Sequence, residues 1–489
     1  MDFIKETILT FSIKDKEEFE RFISRKQVKE ERKDVLVFDQ LFRFYQENNA
    51  KSNLKGDQKY HAIRKRLAKE LVNFLVLKKS STEVNRVEGR LLMVQYFIDL
   101  ARYEVAWELL TKEERSKKNK SVEDQLKIQH HKLAVLPYCG WEYFEETKQK
   151  IVQLQKEQTR KQQFQLSFIE IQKELNEKMI TGEIGFAANI VKNVFKQYEQ
   201  IDSDSLDPIN YLRLIEIVRG EYLIKREFKS FAAVATEYYN KIFLQFSEGN
   251  IPLNILARLE YIMAHAFFRA RNFAKSSIHI ENLKSLIDSD YDAELNLKTR
   301  YISLKSAIDV FENKVKEAIS EHEKHIESHG SKLKIKEKLN LSLNLVAYYC
   351  VDKGFRKANK ILIYMNQSDA FYQRHMGREW LIRKELIRSL IQVEINNEEN
   401  AITILENLKK KHADMLATDQ YGMVLYFINA FLHYLHNPFQ INEKEILKME
   451  EETKLKIDPK VFGFYVWFKS KITKQDLYEL LKAEYQLQG

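Results

Sequence analysis

Arginine is the residue type whose spacing in this chain is most suggestive of chemistry. Four arginines and one asparagine recur at intervals of 45, 42, 40 and 43 residues; they are Arg213, Arg258, Arg300, Asn340 and Arg383. A guanidinium group presents a planar fork that binds a carboxylate or a phosphate through two hydrogen bonds. On successive helices of a stacked repeat, such residues would form a ladder that binds an anionic partner. The alternative is structural pairing with nearby acids such as Glu216, Glu260 and Glu294.

Histidine offers a weaker signal for a metal. His322, His325 and His329 lie at i, i+3 and i+7 of one predicted helix, whereas helical zinc motifs typically pair histidines at i and i+4 and add a third ligand. The neighbouring residues are rich in Glu and Lys, which indicates a solvated helix face. We therefore predict no metal site and no cofactor. His265 falls at a small-residue packing position, and we expect it in the core.

Catalytic motifs are missing from the sequence. It contains no Gly-rich phosphate loop, no G-x-S-x-G elbow and no H-E-x-x-H. The segment Cys139-Gly140-Trp141 has the residue types of a cysteine-nucleophile segment, but a cysteine without a positioned base or a family signature is usually a packed thiol. We predict that the protein is not an enzyme.

The composition indicates which elements must position these residues. Glycine and proline number 13 and 5 among 489 residues, against an average usage of roughly 12% for the pair. Sheet-rich folds need many turns that favour these residues, so we predict a nearly all-helical protein. Two distant cysteines and the lack of a secretory signal pattern favour the cytoplasm. The apolar stretch 422–435 is too short to cross a membrane, and we predict a buried helix there.

A pattern recurs along most of the chain. An apolar helix and a polar break are followed by an aromatic or branched residue and, three positions later, by a small residue. These later positions are 106, 146, 187, 231, 276, 318, 358 and 401. Position 146 is the weakest member, and position 231 is Phe, with the small residue Ala232 adjacent to it. A period near 42 is typical of stacked helix hairpins. We predict an all-α, right-handed superhelical solenoid over residues 86–440, between an N-terminal helical unit (1–85) and a C-terminal helical cap (441–489).

The two flanking segments have their own patterns. Residues 1–85 contain three predicted amphipathic helices, the first with Asp15 as its N-cap and with Phe19 and Ile23 on its apolar face. The net charge of the chain is +9, and the basic run 64–66 spreads around the third helix rather than along one stripe. After Pro459, the continuous aromatic run 462–468 is predicted to be buried against the end of the solenoid.

Three segments resemble tetratricopeptide repeats. Ala347, Phe355 and Ala358 match the family pattern, in which a small residue late in the first helix faces an aromatic-x-x-Ala motif in the second; Phe273 and Ser276 match it in another unit. The period here is longer than the 34 residues of that family. The resemblance implies a scaffold that binds a peptide or protein in a groove, and the arginine ladder favours an acidic partner. Residues 1–85 are similar to the N-terminal region of bacterial repeat proteins. The alternative is a nucleic-acid-associated or regulatory protein that uses residues 1–85.

Overall fold

The structure is a computed structural model, and every regular element among its described residues is a helix. The described ranges are 3–25, 33–46, 58–80, 86–116, 120–181, 208–225, 227–246, 251–289, 291–330, 333–418, 421–437 and 459–486. The chain divides into two compact units, Met1–Leu166 and Ser167–Gly489. The domain boundaries predicted at 85/86 and 440/441 adjoin or fall in segments outside the described residues, so they stay predictions.

Unit 1 contains the helices of the N-terminal region and the first hairpins. Its helices are α1 (Phe3–Leu9), α2 (Ile13–Ser24), α3 (Lys33–Gln46), α4 (Gln58–Ser80), α5 (Arg86–Asp99), α6 (Tyr103–Glu114), α7 (Val122–Cys139) and most of α8 (Phe144–Thr181). The predicted core residues Phe19 and Ile23 are fully buried. The predicted cap was wrong: Ser12 is the N-cap of α2, and Asp15 is the third helical residue, whose carboxylate accepts a hydrogen bond from the Ser12 amide at 2.8 Å. The two residues form a reciprocal capping box.

Unit 2 is a series of helix hairpins followed by two further helices. Its described helices are α9 (Pro208–Lys225), α10 (Phe228–Gln245), α11 (Leu253–Arg269), α12 (Phe273–Ser289), α13 (Tyr291–Phe311), α14 (Val315–His329), α15 (Ile335–Val351), α16 (Phe355–Tyr364), α17 (Asp369–Met376), α18 (Arg378–Glu394), α19 (Glu398–Lys411), α20 (Ala413–Leu416), α21 (Gly422–His436), α22 (Pro459–Thr473) and α23 (Leu477–Gln486). Consecutive helices pack against each other, and the first helices of neighbouring hairpins are also in contact. The predicted all-α solenoid is confirmed.

The repeat pattern marks the hairpins at the level of single residues. The second helix begins at the aromatic or branched position, or at its equivalent Glu398, in α6, α10, α12, α14, α16 and α19. The residue three positions later is fully buried in each case: Ala106, Phe231, Ser276, Ala318, Ala358 and Ala401 are all 0% exposed. The weak member was wrong, since Glu146 is exposed and Thr147 is buried instead. The member at Ala187 lies outside the described residues.

The hairpin turns explain how the chain manages with so little glycine. Five turns place a non-glycine residue in the left-handed region, with φ between 54° and 71°: Ala101, Arg271, Asn313, Lys353 and Asn396. The next amide donates to the carbonyl five residues back, as Gly354 does to Tyr349 at 2.7 Å. This bond satisfies a carbonyl that the helix end would leave unpaired. Gly354 itself has a φ of −79°, so the left-handed residue of that turn is Lys353.

The two apolar segments noted in the sequence are buried helices. In α21, Ile428 and Phe431 are fully buried. In α22, the aromatic run is buried from Phe464 to Phe468, as predicted. Among the described helices, none combines the length and the apolar character that crossing a bilayer requires.

Candidate functional site

The five residues of the predicted ladder occupy the first helices of five successive hairpins. Arg213 is in α9, Arg258 in α11, Arg300 in α13, Asn340 in α15 and Arg383 in α18. These helices contact one another in this order, and packed helices lie about 8–10 Å apart. The period of the sequence therefore places one ladder residue on each first helix, at intervals of about one helix diameter.

Arg258 and Glu216 form an ion pair between adjacent first helices. The Arg258 Nη2 lies 2.5 Å from the Glu216 Oε1, and the two side chains are 40% and 22% exposed. Glu216 stands three residues after Arg213, about one turn further along α9. The structural alternative raised by the sequence is present at this position, and the guanidinium retains exposed surface.

Arg300 continues the same geometry with an aromatic partner. Its guanidinium carbon lies 5.5 Å from the centre of the Tyr261 ring, and Tyr261 stands three residues after Arg258. A second guanidinium, that of Arg219, lies 5.4 Å from the same ring. Two cations from α9 and α13 thus share one tyrosine of α11, an arrangement that stabilises each cation through the ring quadrupole.

Arg213 lies at the beginning of the series. Its Nη1 donates to the Asn210 Oδ1 at 3.2 Å, and its guanidinium lies 5.6 Å from the centre of the Phe168 ring. Neither partner carries a charge, so both contacts leave the positive charge of Arg213 unneutralised.

The last two ladder positions face a different environment. The Asn340 Oδ1 accepts a hydrogen bond of 3.1 Å from the Nε1 of Trp380, which is buried. Arg383 is half-buried, and its Nε is not solvent-accessible. Burial and the Asp309 carboxylate raise the pKa of Tyr348, and the Arg383 guanidinium opposes that shift. These two residues are therefore oriented toward the interior of their helix layer.

We define the arginine face as Arg213, Arg219, Arg258, Arg300 and Tyr261. Its four guanidinium groups face one carboxylate, that of Glu216, in the contacts described above. Within the described residues, the Nε of Arg219 is buried without a hydrogen-bond partner. The arginine face can therefore bind carboxylates or phosphates at α9, α11 and α13, which are the first helices of three consecutive hairpins. Arg219 lies outside the 42-residue register, so the sequence analysis missed it; the Arg219-to-Tyr261 spacing, itself 42 residues, was the available signal.

The other two acids proposed as arginine partners have different roles. Glu260, 3% exposed, accepts hydrogen bonds from the Tyr239 hydroxyl and the Asn282 amide, and lies 2.8 Å from the His279 Nδ1. It ties α11 to α10 and α12. Glu294 lies 3.9 Å from the Lys298 Nζ on its own helix.

The histidine helix is less solvated than predicted. His322 is 0% exposed and His325 is 5% exposed, while His329 is exposed. The expected solvated face was wrong because α14 packs against both α13 and α15. The His322 Nδ1 lies 3.1 Å from the Ser306 Oγ, and the His325 Nε2 lies 3.0 Å from the Thr299 Oγ1. Within the described ranges, no group of three or more potential metal ligands is found. His265 is buried, as predicted.

The two cysteines have the properties of packed thiols. Cys139 is half-buried, and burial, with a smaller contribution from Glu104, raises its pKa. Cys350 is buried, and burial likewise raises its pKa. A raised pKa disfavours the thiolate, which is the nucleophilic form.

Comparisons with known proteins identify no family for this chain. No protein-family model matches the chain, and no curated protein matches it. Among solved structures, the crystal structure of the apo form of RapI aligns with 82% of this chain and 96% of that chain, at 10% identity and a TM-score of 0.40. A likeness at this level carries no argument about function. The resemblance to tetratricopeptide repeats stays an interpretation of the repeat pattern.

Proposed function

We propose that the protein is a non-enzymatic scaffold that binds an acidic peptide or protein segment along the arginine face. The observation that supports this proposal is the excess of guanidinium groups over carboxylates on three adjacent helices. Arg258 keeps 40% of its side chain exposed although it pairs with Glu216, and Arg300 is exposed. An incoming carboxylate can approach both arginines without breaking a buried contact.

The spacing suggests the form of the ligand. First helices about 8–10 Å apart match an extended segment in the polyproline II conformation, where residues at i, i+3 and i+6 share a face and recur every 9 Å or so. A peptide with an acid at every third position would place one carboxylate opposite each of Arg213, Arg258 and Arg300. Bidentate pairing at each rung would then select both charge and spacing.

The test is a fluorescence-anisotropy titration with two labelled decapeptides of equal charge. One has glutamate at every third position with prolines between, and the other has its glutamates contiguous. We expect the full-length protein to bind the spaced peptide more tightly. Arg258→Glu/Arg300→Glu should weaken that binding by at least about 100-fold, since each charge-assisted pair contributes about 1.5–3 kcal/mol.

The control has the same change in net charge on the second helices. Lys229→Glu/Lys284→Glu replaces two exposed cations of α10 and α12 and should change the affinity by less than about threefold. Since Glu216 would face a new glutamate in the test variant, Glu216→Gln is added to both variants to remove the repulsion. Undiminished binding by the folded Arg258→Glu/Arg300→Glu variant would refute the proposal.

In residues 1–85, the alternative binding module, several of the described cations are paired with acids. Lys16 and Arg43 both pair with Asp39, at 2.7 and 2.9 Å, and Lys78 pairs with Asp15 and Glu18. These cations are neutralised by acids of their own unit, so we do not advance a nucleic-acid function.

A further inference from the structure

The helices α22 and α23, here called the arm, run back along the row of hairpin turns in unit 2. Glu394, beside the α18–α19 turn, accepts a hydrogen bond from the Trp467 Nε1 at 2.7 Å and pairs with Lys471 at 2.6 Å. Asp476 pairs with Lys353, in the α15–α16 turn, at 2.5 Å. Further on, α23 contacts α13. Successive parts of the arm therefore contact hairpins that lie progressively earlier in the sequence.

The two helices of the arm are anchored very differently. In α22, five consecutive residues from Phe464 to Phe468 are buried, and Trp467 and Phe468 pack their rings against Phe431. In α23, the described buried residues are Leu477, Leu480 and Leu481. An isolated helix of ten residues is marginal in water. We infer that α23 is helical because it is docked, and that it opens at a lower free energy than α22.

The contacts of α23 specify a simple recognition pattern. Leu477, Leu480 and Leu481 stand at i, i+3 and i+4, so they share one helix face, and they join the core cluster that includes Val310 and Val315. Tyr478, between Leu477 and Leu480 in sequence, is half-buried, and the contact of α23 with α13 places these side chains beside that helix.

The N-terminus of α23 adds an electrostatic contact. The Asp476 Oδ1 accepts hydrogen bonds from the amides of Tyr478 and Glu479 at 2.9 and 3.1 Å, and its Oδ2 pairs with Lys353. The Lys353 hydrogen bond lowers the pKa of Asp476. An acid at this position therefore caps the helix and recognises the turn at the same time.

We propose that the surface between the end of α13 and the α15–α16 turn is a helix-docking site, which α23 occupies in cis. Its other occupant is an amphipathic helix of a partner protein with an acidic N-cap and leucines at the first, fourth and fifth helical positions. The chemistry of this occupant follows from the contacts of α23. The site offers apolar surface to the three leucines and the Lys353 ammonium to the acid. A tether of three residues, 474–476, gives α23 a high effective concentration, so a partner helix binds once α23 is released.

The experiment uses the full-length chain and a fluorescein-labelled peptide of residues 475–486. Leu480→Glu/Leu481→Glu in the protein should release α23, and the peptide should then bind with at least about tenfold higher affinity than to the wild-type protein, where the tethered helix competes. The same two substitutions in the peptide should abolish binding. Asp476→Lys in the protein is a milder second variant that breaks only the cap and the ion pair.

Charge exchange separates this site from nonspecific apolar binding. In a protein with α23 released, Lys353→Glu should weaken binding of the wild-type peptide. The same substitution should restore binding of a peptide that carries Asp476→Lys. The proposal is overturned if both released variants fail to bind the peptide, if wild-type and released proteins bind it equally, or if binding ignores the leucine substitutions.

Discussion

The ladder register behaves differently in the two halves of unit 2. In α11 and α13, Arg258 and Arg300 reach the neighbouring first helix at the surface, through Glu216 and Tyr261. In α15, Asn340 instead links forward to the next first helix, α18, where it accepts a hydrogen bond from the buried Trp380. The same repeat position therefore serves a solvent-facing contact in one half and a buried hydrogen bond in the other.

The short helix α17 accounts for this difference. It is inserted between α16 and α18 and packs against α15 and α18. Its Tyr372 is fully buried and stacks on Trp380 with ring centres 5.4 Å apart. By stacking on Trp380, α17 helps to bury the ring whose Nε1 donates to Asn340, so this ladder position has a buried uncharged partner and carries an amide in place of a guanidinium.

The largest expected effect compares the aromatic residues of the two halves. Trp380→Ala removes a large buried ring and should lower the free energy of unfolding by about 3–5 kcal/mol. The Tyr261 ring is half-buried and contacts the guanidinium groups of Arg219 and Arg300. Tyr261→Ala should therefore lower the free energy of unfolding by only about 1–2 kcal/mol. Urea denaturation followed by circular dichroism measures both, and equal losses would show that α17 does not separate the two environments.

The second effect concerns pH at the junction of the halves, where α14 lies between α13 and α15. Burial, with a smaller contribution from His325, lowers the pKa of His322 to about 4 from its ordinary 6.5. The unfolded chain therefore binds a proton that the native chain does not between these values. The contribution of His322 to the free energy of unfolding is fully present above pH 6.5 and should fall by about 3 kcal/mol on acidification to pH 4.

Thermal unfolding measured at several pH values tests this assignment. His322→Phe should remove about half of the loss of stability between pH 6.5 and pH 4, while His436→Gln, at an exposed position, should leave it unchanged. His325, whose pKa burial also lowers to about 4, should retain its own contribution. An unchanged slope in His322→Phe would contradict the buried neutral imidazole.

The smallest effect compares two rungs of the ladder directly. Asn340→Ala leaves the buried Trp380 Nε1 without its acceptor, which should cost about 1–3 kcal/mol. Arg258→Ala breaks a partly exposed ion pair and should cost less than about 1 kcal/mol. Chemical denaturation of the two single variants decides between them, and a larger loss in Arg258→Ala would reverse the comparison.

Local patterns predicted the repeat well and its departures poorly. The helix starts at Phe273, Val315 and Phe355 follow from residue types three positions apart, because a small residue is needed where the second helix approaches its neighbour. The insertion of α17 has no comparable signal, since Asp369–Met376 shows no extended apolar period. The burial of His322 in a helix rich in Glu and Lys depends on packing on both sides, which local composition does not record.

The candidate site likewise has features that the sequence predicts and features that depend on tertiary structure. The period correctly placed one ladder residue on each first helix, and Glu216 was recognised as a possible partner. The orientation of Asn340 and Arg383 depends on helices distant in sequence, and so does the path of the arm. Such contacts are properties of the tertiary structure, whereas the period reports only which faces of each hairpin are apolar.

The fold-back of the arm has a consequence for the order of folding. Each hairpin turn closes through a hydrogen bond across five residues, as between Gly354 and Tyr349, whereas Lys353 and Asp476 are 123 residues apart. Local contacts form rapidly, and contacts that close long loops form late. The hairpins can therefore stack before the arm docks beside Lys353, so the contacts of the arm are expected to be among the last that the chain forms.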